Sequence, residues 1–233
     1  RDLLWREDQL TAVDNPRIDN PLKLINDGKT ATLDPRLAGL DHTPEVGRVH
    51  AITTEVHRLW EASRENTYRD QLGDLSPHLG GFQIIFCDRG VPKPEPDTFN
   101  VYDAIRDDLV ARGMDRERIR FIHDWDDRRL QLFDDCNNGQ VDVLIGNTEK
   151  LGTGANIQAR CVGIHHADVP WRPADLEQRL GRGLRQGNQN GDLFEAVYIG
   201  SGTHDAFSWG TVSRKAKFIE QFYRADQELR DME

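Results

Sequence analysis

VDVLIGNTEKLGTGANIQARCVGIHHADVPWRPADLEQRLGRGLRQGN, residues 141–188, sets two apolar runs around a glycine-rich loop and follows them with arginines at 179, 182 and 185. VDVLIG (141–146) and CVGIHHADV (161–169) are too short to span a membrane and too continuously apolar for strands with one wet face. They read as strands covered on both sides. Similar runs recur at FQIIFCD (82–88), IRFIHD (119–124) and LFEAVYI (193–199), separated by helical patterns over 98–113, 126–138 and 173–186. Strands alternating with helices predict an α/β fold with a mostly parallel sheet and helices on both faces. Ligands of such sheets gather at the C-terminal ends of the strands, here the loops at 87–97, 123–126, 146–157 and 168–173.

Further out, TPEVGRVHAITTEVHRLWEASREN predicts a helix opened by Pro44, with Val46, Val49, Ile52, Val56, Leu59 and Trp60 on one face. Residues 1–41 are rich in turn formers and read as an irregular lead-in or inter-domain segment. At the other end, THDAFSWGTVSRKAKFIEQFYRADQELR predicts a helix that packs Phe207, Val212, Phe218, Ile219 and Phe222 on the body and leaves Arg214, Lys215 and Lys217 outside. The expected organisation is thus 1–41 lead-in, 42–200 α/β domain and 201–233 C-terminal helix.

The chain has 233 residues and a formal net charge of −10, which argues against a module that grips nucleic acid by bulk charge alone. No run resembles a membrane span or a secretory leader, so a cytoplasmic protein is expected, and the opening RDLLWREDQL reads as an excerpt of a longer one. Cys87, Cys136 and Cys161 are odd in number and widely spaced, which predicts buried reduced thiols.

Two motifs are decoys. NDGKT (26–30) ends like a phosphate-binding P-loop, but Lys23 stands where the first glycine is needed, so it reads as a turn. His165 and His166, with Asp168 near, suggest a metal, yet neighbours on a strand point to opposite faces. They read as a buried histidine beside a loop histidine, and no metal site is expected.

The arginines carry more. On a helix, positions 179, 182 and 185 share one face, where three permanent cations repel one another unless an anion faces them. Gly181 and Gly183 each cost a helix about 1 kcal/mol relative to alanine and are expected to thin its wall for a ligand. The preceding Gly152-x-Gly154 loop, followed by Asn156, is either a simple turn or a ligand loop.

Taken together, these residues resemble the second RecA-like domain of a superfamily-two helicase or translocase. QRLGRGLRQGN is similar to the family's Q-R-x-G-R-x-x-R-x-G motif, TEKLGTGANIQ to its Gly-x-Gly-x-Asn motif, and FQIIFCD to the strand that opens the domain. HHADVPWRPADLEQRLGRGLRQGN resembles the Swi/Snf-like branch, and NDGKTATLDPRL, TFNVYDAIRDDLVARG and GTHDAFSWGTVSRKAKFIEQ resemble the helicase region of large phage and plasmid proteins that join a helicase to a DNA methyltransferase and include antirestriction factors.

The resemblance implies ATP and Mg²⁺ in a cleft between two RecA-like domains, the first supplying the P-loop lysine and the acidic magnesium motif. It implies Arg182 and Arg185 as catalytic arginine fingers, and Gly152, Gly154, Asn156 and Gln178 on the nucleotide side. Thr148, Lys150, Arg89 and His123 would touch DNA, while Trp171, Arg172 and Arg179 would couple the two sites. The implied partners are the first RecA-like domain of the parent, DNA and a DNA methyltransferase domain. No P-loop or Asp-Glu-x-His box occurs in the 233 residues, so this chain alone is not expected to hydrolyse ATP. Two other readings stay open: a non-catalytic scaffold in a defence protein, and a free-standing mononucleotide-binding enzyme.

Overall fold

The computed structural model describes residues 21–43, 45–70, 72–92, 98–152, 154, 156–203 and 205–217. In chain order the elements are α1 (Pro21–Leu33), α2 (Arg48–Ser63), β1 (Phe82–Phe86), α3 (Val101–Ala111), β2 (Ile119–Phe121), α4 (Arg129–Asn138), β3 (Val143–Gly146), α5 (Thr148–Gly152), β4 (Cys161–His166), α6 (Pro173–Leu180), β5 (Phe194–Val197) and a last helix, α7, over 205–217. The five strands form one sheet in the order β2-β3-β1-β4-β5, with every neighbouring pair parallel.

β1, β3 and β4 are buried along their whole length, because helices cover both faces of the sheet. On one face Ile85, Val143 and Ile145 pack with Val49, Ile52 and Val56 of α2, and with Val101, Ile105 and Leu109 of α3. On the other, Phe82, Ile84, Phe86, Leu144 and Ile164 meet Leu132, Phe133 and Cys136 of α4 and Leu151 of α5. The alternating exposure of β5 fits its place at the edge.

Several expectations change. Residues 21–33 are helical, so NDGKT lies inside α1 rather than in a turn, and Leu33 is 1% exposed against the core. Helix α2 begins at Arg48 after Gly47 at φ 128°, which leaves Val46 outside it and exposed, while Pro44 lies outside the described residues. In α7 Trp209 and Val212 are buried and Arg214, Lys215 and Lys217 are exposed, but Phe207 is 65% exposed rather than packed. Phe218, Ile219 and Phe222 lie outside the described residues. Cys87, Cys136 and Cys161 are buried free thiols, as expected.

Two buried arginines brace the sheet. At the N-terminal end of β4, Arg160 donates to the carbonyls of Asn137 (2.8 Å) and His78 (2.7 Å) and to the Ser76 hydroxyl, with its guanidinium over the Tyr68 ring. These bonds fasten the segment that leads from α2 into β1. At the opposite edge Arg48 pairs with Asp205 of α7 and donates to the Ala167 carbonyl at 3.0 Å. No helix among the described residues is long and apolar enough to cross a membrane.

Candidate nucleotide-facing site

Parallel strands deliver their following loops to one edge, so Asp88 after β1, Thr148 after β3 and Asp168 after β4 meet there. The Asp168 carboxylate accepts the backbone N–H groups of Asp88 (2.6 Å) and Arg89 (2.8 Å), which pins the first loop to the third. Arg179 of α6, fully buried, closes the arrangement. Its Nη2 donates to Asp88 at 2.8 Å and Asp168 at 3.2 Å, its Nη1 to the Asp168 carbonyl at 3.1 Å, and its Nε to the Thr148 hydroxyl at 2.8 Å. Asp88 in turn accepts the Thr148 N–H (2.6 Å) and hydroxyl (3.0 Å), and the Arg179 guanidinium lies over the Phe86 ring. Burial raises the Asp168 carboxyl above its ordinary value, and the Arg179 charge works against that rise.

The two histidines of β4 are structural, and both sit on the strand, which corrects the expectation of a loop histidine. Gln83 donates its amide to the Val56 carbonyl (3.0 Å), so its Oε1 accepts from His165 Nε2 (2.9 Å), and His165 Nδ1 accepts from the Tyr198 hydroxyl (2.7 Å). Burial pushes His165 down to about 3. On the other face, the Arg179 guanidinium lies 3.4 Å from His166 Nδ1, which leaves Nε2–H to donate to Glu195 at 3.1 Å. Among the described residues no group of three or more His, Cys, Asp or Glu is placed to hold a metal ion.

Helix α6 stops at Leu180, so Arg182 and Arg185 lie in the turn after it rather than on the helical face their spacing suggested. Gly183 lies in that turn and is buried. A Cβ there would stand 2.8–2.9 Å from the Leu193 methyls and 3.0 Å from Ile164 Cδ1, so the glycine lets the turn press on the core and does not clear space for a ligand. Arg182 is half-buried and Arg185 exposed. Burial first, and then the Arg185 charge, lowers the pKa of Arg182. Guanidinium groups suit phosphate oxygens.

The residues expected on the nucleotide side divide between two clefts. Gln178 lines an opening of about 480 Å³ with Asp88, Asn147, Thr148, Glu149, Arg172 and Asp175. Asn156 lines another with Gln158 and Gly187. Gly152 ends α5, and Gly154 is exposed with φ 69°. Of the residues expected at DNA, Thr148 is buried with its hydroxyl engaged by Arg179 and Asp88. Lys150 pairs with Asp126, and Arg89 donates to Asn26 Oδ1 at 2.6 Å. His123 stands edge-on to Tyr102, and its pKa is lowered by burial and then by Lys150. Of the coupling set, Trp171 is 76% exposed with Lys29 over its ring, and Arg172 forms a capping box with Asp175. Arg179 is the buried hub. Sequence reasoning passed over Asp88 as a partner, although it closes the quoted run FQIIFCD, and weighed Asp168 for metal and as part of the HHADVPW resemblance but not as a partner of Arg179.

Residues 118–187 match the model of the helicase conserved C-terminal domain. Defense against restriction protein B of Escherichia phage P1 is 34% identical over 93 residues, which are 40% of this chain and 4% of that protein. The chain thus spans a small fraction of the curated relative it matches. Among solved structures, the C-terminal part of the Fun30 ATPase domain aligns with a TM-score of 0.52 at 14% identity, covering 90% of this chain and 63% of that one. The E. coli DEAD-box protein SrmB, solved bound to regulator of ribonuclease activity A, aligns with a TM-score of 0.47 at 17% identity, covering 71% and 79%. The matched segment contains β2, β3, β4 and the arginine turn, and the sheet around it has the RecA-like α/β fold that the Fun30 domain shares.

Proposed function

We propose that this chain is the C-terminal motor domain of an ATP-dependent DNA helicase or translocase that works in the cytoplasm. A first RecA-like domain of the same parent supplies the P-loop and the acidic magnesium motif. Arg182 and Arg185 act as arginine fingers, stabilising charge on the phosphoryl group in transfer. Gly152, Gly154, Asn156 and Gln178 border the nucleotide side, while Arg89, His123, Thr148 and Lys150 form the DNA side. Trp171, Arg172 and Arg179 link the two, and the isolated chain does not turn over ATP.

The observation that carries this reading is the seating of the arginine turn. Arg179 is locked by Asp88, Asp168 and Thr148, the residues after β1, β4 and β3. The turn that begins directly after α6 carries Arg182, half-buried, and Arg185, exposed. In the intact parent, Arg185→Ala is expected to cut ATP turnover by about 10³-fold or more while DNA binding stays near normal. Turnover within tenfold of the parent protein would sink the assignment.

A second reading, a DNA-gripping scaffold without catalysis in an antirestriction protein, takes support from the similarity to a phage protein named for defence against restriction. A parent without a P-loop lysine upstream, and without DNA-stimulated ATP turnover, would favour it.

A further inference from the structure

Helix α1, expected as irregular lead-in, carries Asn26 and Lys29 three residues apart and hence on one face. That face meets the loops after two strands. Arg89, in the loop after β1, donates from Nη1 to Asn26 Oδ1 at 2.6 Å, and Lys29 holds its Nζ 5.8 Å from the ring centroid of Trp171, after β4. Arg89 and Lys29, both half-buried, are thus tied to side chains one helical turn apart. Among the described residues neither has a carboxylate partner at ion-pair distance.

The carboxylates nearby in the chain are committed elsewhere. Asp88 accepts from Thr148 and Arg179, and Asp168 from the backbone N–H groups of Asp88 and Arg89 and from Arg179. Asp27, two residues before Lys29, points to another face of α1. Burial first, and then the Arg89 charge, lowers the pKa of Lys29. Two cations held in this way are costly in isolation, and an anion that meets both offsets the cost.

The position selects the source of that anion. Arg89 and Trp171 follow the C-terminal ends of β1 and β4. The chain past Arg185 is bonded instead to the residues that enter β4: Gln158 Nε2 donates to the Gln186 carbonyl at 3.1 Å, and the Gln189 N–H to the Ala159 carbonyl at 3.0 Å. The six residues of β4, at about 3.3 Å each, put roughly 20 Å between the two ends. One triphosphate does not reach across that distance, whereas phosphates recur along a DNA strand.

We propose that Lys29 and Arg89 together grip the phosphate backbone of DNA, so that α1 belongs to the DNA side and the exposed Trp171 ring keeps Lys29 in place. The proposal rests on the DNA side assigned above, and it adds a residue that lies outside the matched helicase segment.

The test is equilibrium binding of a short DNA duplex to the intact parent protein over a series of salt concentrations, with inorganic tripolyphosphate as the second ligand. Each phosphate contact contributes about 0.9 to the slope of log affinity against log salt, and a loss of folded protein lowers affinity equally at every salt concentration without changing that slope. Lys29→Gln is expected to reduce the slope by about one and to weaken DNA binding about three- to tenfold at low salt, with tripolyphosphate unchanged, while Lys29→Arg keeps the original slope. An unchanged slope in Lys29→Gln overturns the proposal, as does a parallel loss of both ligands. Arg89→Gln tests the reading beneath it. If Arg89→Gln reduces the slope and Lys29→Gln does not, the DNA side stands and α1 is no part of it; if neither does, the DNA side falls at this loop together with the proposal.

Discussion

Arg179 shows how one side chain can organise a site without facing the ligand. It is fully buried, and two carboxylates, a threonine hydroxyl and a carbonyl absorb its donors. Buried ion pairs add little net stability when formed, but removing one partner strands the other at about 3–5 kcal/mol. Arg179→Met should therefore destabilise the domain by roughly that amount near neutral pH, measured by urea unfolding. The pH dependence has a definite sign. Asp168 has a raised folded pKa, so the folded state binds more protons than the unfolded one in the carboxylate range, and its contribution to stability falls as pH rises from about 4 upward. Without Arg179 the rise is larger, so the deficit of the variant should shrink as the pH is lowered toward 4; a deficit that stays constant with pH would show that Asp168 is not the stranded partner. The arginine itself was legible in the sequence as one of three. Its partners were not, because with 40 Asp and Glu in the chain no spacing marks Asp88 and Asp168 as the two that meet it.

At the scale of elements, the turn after α6 sets the local chemistry against the generic rule. Glycine to alanine in a helix stabilises by about 1 kcal/mol, and a sequence reading that extends the helix to 186 expects that gain at Gly183. In the structure the added methyl would meet Leu193 at 2.8 Å and Ile164 at 3.0 Å, so Gly183→Ala should instead cost about 1–3 kcal/mol. It should also lower ATP turnover in the parent, because the displaced segment carries Arg182 and Arg185. A thermal melt decides the sign, and a higher midpoint would mean that the turn is free to re-form as helix. The same scale explains which elements were readable. β1, β3 and β4 announce themselves because covering a sheet on both faces demands uninterrupted apolar residues. Helix α1 was missed because Asn26, Asp27 and Gly28 are poor helix formers, overruled by the packing of its last residue, Leu33, into the core.

Across the whole molecule, the α/β class and a last helix packed on the body were within reach of the sequence, whereas the strand order was not, nor was the pair that ties α7 to Arg48, since it joins residues 157 positions apart. Asp205 accepts from the Gly200 N–H at 3.0 Å and pairs with Arg48, whose other nitrogen holds the Ala167 carbonyl next to Asp168. Trp209, farther along α7, stands edge-on to His166, the ring whose Nδ1 faces Arg179. The last helix thus reaches the arginine hub by two routes, one through Arg48 and Ala167 and one through His166. Asp205→Ala should leave Arg48 buried without its nearest anion. The distant charge of Asp168 still favours the charged guanidinium, so the expected loss is about 3 kcal/mol, the lower end for a broken buried pair. Amide exchange should accelerate most over 205–212 and next at Ala167 and Asp168, and less in β3, which neither route touches. Asp205→Asn, which keeps an acceptor for Gly200, should recover part of the loss. If Asp205→Ala unfolds within about 0.5 kcal/mol of the parent, or if exchange rises in β3 as much as in α7, the helix is not held to the hub by this pair.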